Sequence, residues 1–99
     1  MKPTIFEINP TQVKLVFSKQ QLDEVHLSPS RFCDELDKTI EYNVIGFETL
    51  KHYECECGVI CKKTAIDVTV RNSKGFNATD TQAILNSFKT IIAKHYKKL

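Results

Sequence analysis

Apolar residues change their period along this chain, and the changes divide it into elements. Ile5, Phe6 and Ile8 form one short run and Val13, Leu15, Val16 and Phe17 a second, separated by Asn9-Pro10-Thr11-Gln12. In the second run Val13, Leu15 and Phe17 alternate with Gln12, Lys14 and Ser18, the period of a half-buried strand, although Val16 breaks it. Asn-Pro is turn chemistry, so residues 5–8 and 13–17 are predicted to form a β-hairpin. Residues 18–27, SKQQLDEVHL, place Ser18 and Gln21 as in a capping box, and Leu22 and Val25 at helical spacing. That predicts one or two helical turns.

Ser28-Pro29 marks a clearer helix start, with serine as N-cap and proline at the first helical position. Phe32, Leu36 and Ile40 then recur every fourth residue, with Cys33 beside the stripe. Asp34, Glu35, Asp37 and Glu41 occupy the other face, which reads as a solvated acidic surface. From Val44 to Arg71 the period turns to two. Ile45, Phe47, Tyr53, Cys55, Cys57 and Val59 share one parity, and Ile66, Val68 and Val70 share one parity of a later run, which predicts two or three antiparallel strands. Asn72-Ser73-Lys74-Gly75 is a turn. Thr79-Asp80-Thr81-Gln82 offers a capping box, and the helix it opens carries Ile84, Leu85, Phe88, Ile91, Ile92, His95, Tyr96 and Leu99 along one broad stripe.

These elements predict an α+β fold: one antiparallel sheet of four to five strands covered by two main helices, one of them at the C-terminus. No repeat or low-complexity linker interrupts the chain, so residues 1–99 read as a single domain. Ninety-nine residues with 41% apolar and 26% charged content suit one globular core. A domain of this size leaves much of its apolar surface uncovered, which sets the expectation of a homodimer. The first ten residues contain no apolar run of a secretory leader, and no stretch approaches the roughly 18 apolar residues of a membrane span. A cytoplasmic location is expected, host cytoplasm if the source is a virus, with no membrane partner.

Charge divides unevenly. Residues 1–50 carry 5 basic against 8 acidic side chains, residues 51–99 carry 9 against 4, and the whole is +2. A basic half is one route to nucleic acid, through Lys62, Lys63, Arg71 and Lys74 near the strand ends and Lys94, Lys97 and Lys98 on the last helix. It also suits two halves packed on each other. The order of elements over residues 28–99 is similar to that of a double-stranded RNA-binding domain. That family's lysine cluster at the start of the last helix is here Thr79, Asp80, Thr81 and Gln82, so its function does not carry over.

The chain lacks the signatures of the common enzyme chemistries. Three glycines, at 46, 58 and 75, make no phosphate-cradling loop, and neither a G-x-S-x-G elbow nor an H-E-x-x-H helix occurs. No C-x-x-C redox pair exists either. What remains is His52, Cys55, Cys57 and Cys61, four zinc-type ligands within ten residues. Tetrahedral zinc with bonds of about 2.3 Å holds its sulfurs roughly 3.8 Å apart. Side chains two apart on a flat strand start about 6.5 to 7 Å apart, so the strand has to bend, and Gly58 is where it can. His52 has the opposite parity. Buried thiols on one strand face, structural zinc, and a disulfide in which Cys33 or Cys61 joins Cys55 or Cys57 all fit the spacing.

The expectation for function is therefore a small non-enzymatic binding or regulatory protein acting through protein contacts. Viruses and mobile elements are frequent sources of such chains. The alternative is a nucleic-acid-binding protein, with a structural zinc at the cysteine cluster.

Overall fold

The fold comes from a computed structural model that describes residues 3–50, 53–54, 60–61 and 64–97. Its elements, in chain order, are β1 (Thr4–Asn9), β2 (Gln12–Ser18), α1 (Lys19–Asp23), α2 (Pro29–Thr39), β3 (Asn43–Leu50), β4 (Tyr53–Glu54), β5 (Ile60–Cys61), β6 (Ala65–Arg71) and α3 (Ala78–Tyr96). Four strands form an antiparallel sheet in the order β1-β2-β6-β3, and β4 pairs with β5 separately. The α+β class and the long C-terminal helix packed on a sheet agree with the sequence pattern. Among the described residues no helix is long and apolar enough to cross a membrane.

The hairpin is β1-β2, closed at Pro10-Thr11. Asn9 Oδ1 accepts from the Thr11 amide at 2.9 Å and from its hydroxyl at 3.0 Å, the local bonding that makes asparagine a turn residue. A bulge between Glu7 and Asn9 leaves Ile8 without a direct partner. In the two central strands the alternation holds: Val13, Leu15 and Phe17 pair with Val70, Val68 and Ile66, all buried beneath the helices. In β3 it fails. Ile45 does not share a face with Phe47, because a bulge between Val44 and Gly46 shifts the register so that Val44 and Phe47 pair with the inward Val70 and Val68. One inserted residue reverses parity, and sequence alternation alone does not reveal it.

Ser18 caps α1 by accepting from the Gln20 amide at 3.3 Å, not through a box with Gln21. The helix ends in a Schellman motif, in which the Leu27 amide reaches the Leu22 carbonyl at 3.0 Å and the His26 amide reaches that of Asp23 at 3.2 Å. His26 occupies the left-handed position there, φ 55°, and Leu22 and Leu27 are both buried. Ser28 and Pro29 start α2 as the sequence suggests, Ser28 Oγ accepting from the Arg31 amide.

The start of α3 differs. Its cap is Asn77, not Thr79: Asn77 Oδ1 accepts from the Asp80 amide at 2.9 Å and Asp80 Oδ2 accepts from the Asn77 amide at 3.0 Å. Asparagine outranks threonine as an N-cap, and an acidic residue three positions on completes the reciprocal pair.

The core lies between the sheet and the helix layer. Phe17 of β2, Phe32 of α2 and Phe88 of α3 form an aromatic triangle with ring centroids 4.8 to 5.6 Å apart. Leu22, Leu36, Ile84 and Ile91 complete the helix side. Each such side chain, taken out of water, contributes roughly 1.5 to 3 kcal/mol, and the edge-to-face ring contacts add to that. The triangle joins three elements that are distant in sequence, so it fixes how α2 and α3 sit on the sheet.

Candidate functional site

β1 is an edge of the four-stranded sheet, and its side chains are apolar on both faces. Ile5 pairs with Leu15 on the face toward the helices, while Phe6 pairs with Lys14 on the far face. Phe6 is 56% exposed and Ile8 46%. Sheet edges are normally guarded by lysine, by proline within the strand or by a bulge; β1 has a single charge, Glu7, Pro10 lies beyond its end, and its bulge is confined to the Glu7–Asn9 end, away from Ile5 and Phe6. Beside it a groove of about 510 Å³ opens between β1 and the first turns of α3, lined by Ile5, Val13, Phe76, Ala78, Thr81 and Leu85 among others. Thr4, Glu7 and Asn77 line it as well, so the groove is mixed, and a strand at a sheet edge beside such a groove is the geometry into which an extended segment adds as a further strand.

A second, more polar groove of about 710 Å³ lies at the β6-α3 turn, where Arg71 and Lys74 stand with Glu7, Glu41, Tyr42 and Asp80. Asn72 shapes the turn, its side-chain amide donating to the Gly75 carbonyl at 2.7 Å and its Oδ1 accepting from the Lys74 amide. Gly75 has φ 86°, and a Cβ there would come within 3.3 Å of the Pro10 carbonyl. The Tyr42 hydroxyl donates to Asp80 Oδ1. That hydrogen bond, with burial and the carboxylate charge behind it, pushes the Tyr42 phenol up to about 12. The same bond, together with the Asn77 amide, holds Asp80 below the usual carboxylate range.

Among the described residues, the four cations expected to bind nucleic acid lie in two separate places. Arg71 and Lys74 lie by the N-terminus of α3, whereas Lys94 and Lys97 lie at its other end, and a helix of 19 residues is roughly 28 Å long. Lys94 is also 3.4 Å from Glu35. Lys62, Lys63 and Lys98 fall outside the described residues. So do His52, Cys55, Cys57 and the side chain of Cys61, and with them the proposed zinc site. Among the described residues no three of His, Cys, Asp and Glu assemble a metal-binding group. Cys33 is a free thiol, buried on the inner side of α2. Burial, helped by Asp34, pushes it up to about 11.

Two polar contacts are absent from the sequence reading. Glu35 is not part of a solvated acidic face: its Oε2 lies 2.5 Å from His95 Nε2, in a half-buried contact between α2 and α3. A histidine on an otherwise apolar stripe was the available signal. Asp67 is only 5% exposed, and Lys14 Nζ reaches its Oδ2 at 3.1 Å while Oδ1 is buried without a hydrogen bond. Its place between Ile66 and Val68 puts it on the far face of β6, away from the helices. No protein-family model, curated protein or solved structure matches this chain.

Proposed function

We propose that this chain is a small non-enzymatic binding or regulatory protein that works through protein contacts, with β1 and the adjoining flank of α3 as the contact surface. The observation that carries the reading is the two-sided apolar character of an edge strand: Ile5 toward the helices, Phe6 away from them. Leaving such a strand uncovered exposes both backbone groups and large side chains to water, and a partner strand relieves both at once. The non-enzymatic part of the reading rests on the sequence, which carries none of the common catalytic motifs.

The test is site-specific photocrosslinking in the expressing cell, with the crosslinker at position 6 and, as control, at the exposed Lys38 of α2. Protein adducts at position 6 and none at Lys38 are expected. A position 6 that captures nothing overturns the reading.

Nucleic-acid binding is the second reading, supported by Arg71 and Lys74 in the polar groove. Glu7, Glu41 and Asp80 line the same groove and repel phosphate. Duplex and single-strand binding measured across salt decides it: absence of binding at about 50 mM salt removes it.

A further inference from the structure

We propose that the outer edge of β1, beside which no described strand lies, is covered by β1 of a second copy of this chain, paired antiparallel about a two-fold axis beside Phe6, so that two four-stranded sheets join into one of eight strands. This inference rests on the protein-contact reading and names the partner.

The strand is self-complementary in one register. Directly opposed residues of an antiparallel pair share a face, so two copies related by a two-fold axis meet with each residue opposite itself or one an even number of places away. Centred on Glu7, the pairing sets two carboxylates directly against each other, which destabilises it. Centred on Ile5, only Thr4, Ile5 and Phe6 of each strand overlap, too short a ladder to hold two sheets together. Centred on Phe6, it stacks ring beside ring on the far face and places each Glu7 opposite an Ile5. The single charge of β1 is then kept from its own copy.

The same register also supplies the groove. Ile5 faces the helices, so Ile5 of the second copy projects on the side of Phe76, Ala78, Thr81 and Leu85, where the cavity of about 510 Å³ lies open. The other sheet edge is less suited. Both edge strands carry a bulge, but across the sheet Phe6, Lys14, Thr69 and Gly46 form one row, so where β1 ends the row with an aromatic ring β3 ends it with a glycine.

Sedimentation equilibrium of the full chain, up to about 0.5 mM, is expected to show a reversible dimer that Phe6→Lys weakens by at least about tenfold. Phe6→Thr serves as a second variant, since threonine keeps strand propensity should lysine disturb the fold. Register is read by oxidation and peptide mapping. Phe6→Cys is expected to link two chains through the introduced thiols, because opposed Cα atoms lie within disulfide reach, and Glu7→Cys is not. Linkage by Glu7→Cys and not by Phe6→Cys overturns the register. A monomeric wild-type chain at the highest concentration overturns the second copy as partner. If photocrosslinking at position 6 then captures a different protein, the contact reading survives; if it captures nothing, both fall.

Discussion

His95 Nε2 lies 2.5 Å from Glu35 Oε2, joining the last turn of α3 to the middle of α2. Burial raises the Glu35 carboxyl, but hydrogen bonds and charge from His95 and Lys94 outweigh it and hold the group below its ordinary value. A carboxyl lowered on folding contributes stability that is complete above its unfolded value of about 4.3 and disappears as pH falls through the folded one. Thermal melting is therefore expected to weaken as pH drops below about 4.5, and Glu35→Gln to flatten part of that decline. At neutral pH the same substitution is expected to cost about 1.5 to 3 kcal/mol in urea unfolding, the range for a hydrogen bond to a charged group.

Tyr42 and Asp80 behave oppositely at high pH. The phenol, raised to about 12 by its bond to Asp80, contributes stability below the unfolded tyrosine value that is lost as pH climbs toward 12. Phenolate absorbance should show one component ionising late. Tyr42→Phe should remove that component and leave the others in place, and its persistence in the variant would show that the late group is another tyrosine.

His26 holds a left-handed conformation that costs a non-glycine residue roughly 1 to 2 kcal/mol. Glycine removes the cost and gives back part of the gain through a more flexible unfolded chain. His26→Gly is expected to stabilise the protein by about 0.5 to 1 kcal/mol, seen as a higher urea midpoint with an unchanged slope.

Phe17 is fully buried and touches both other rings of the aromatic triangle. Phe17→Ala should cost about 3 to 5 kcal/mol, against a total of roughly 5 to 15 kcal/mol for a domain of this size. Phe17→Leu should cost less than half as much. Equal effects of the two substitutions in calorimetry would mean that the rings do not pack as a unit.

Much of the fold was legible because the central strands and the main helices obey a single period. Val13, Leu15 and Phe17 against Ile66, Val68 and Val70 form a clean inward set, and Ser28-Pro29 states its helix start chemically. The failures have local causes. At Val44–Gly46 an inserted residue reversed parity, and at Asn77 a stronger cap two positions earlier displaced Thr79. The candidate surface was harder to read. Ile5, Phe6 and Ile8 look like any hydrophobic strand until the strand order makes β1 an edge, and strand order is a long-range property that local pattern does not carry. Likewise Glu35 and His95, 60 residues apart, meet only through helix packing.

The order β1-β2-β6-β3 also dictates when the molecule becomes a folded body. β2 and β3 are not bonded to each other; they are joined only through β6, which is made last among the strands. Until Arg71 has been synthesised, β3 has no neighbour in the main sheet, and β2 has only β1 beside it. The pairing Gln12 with Arg71 closes a span of nearly the whole sheet-forming sequence in one step, which makes for slow, all-or-none folding. An arrested chain that stops short of β6 is thus a sticky intermediate rather than a smaller version of the protein, and a natural substrate for chaperones.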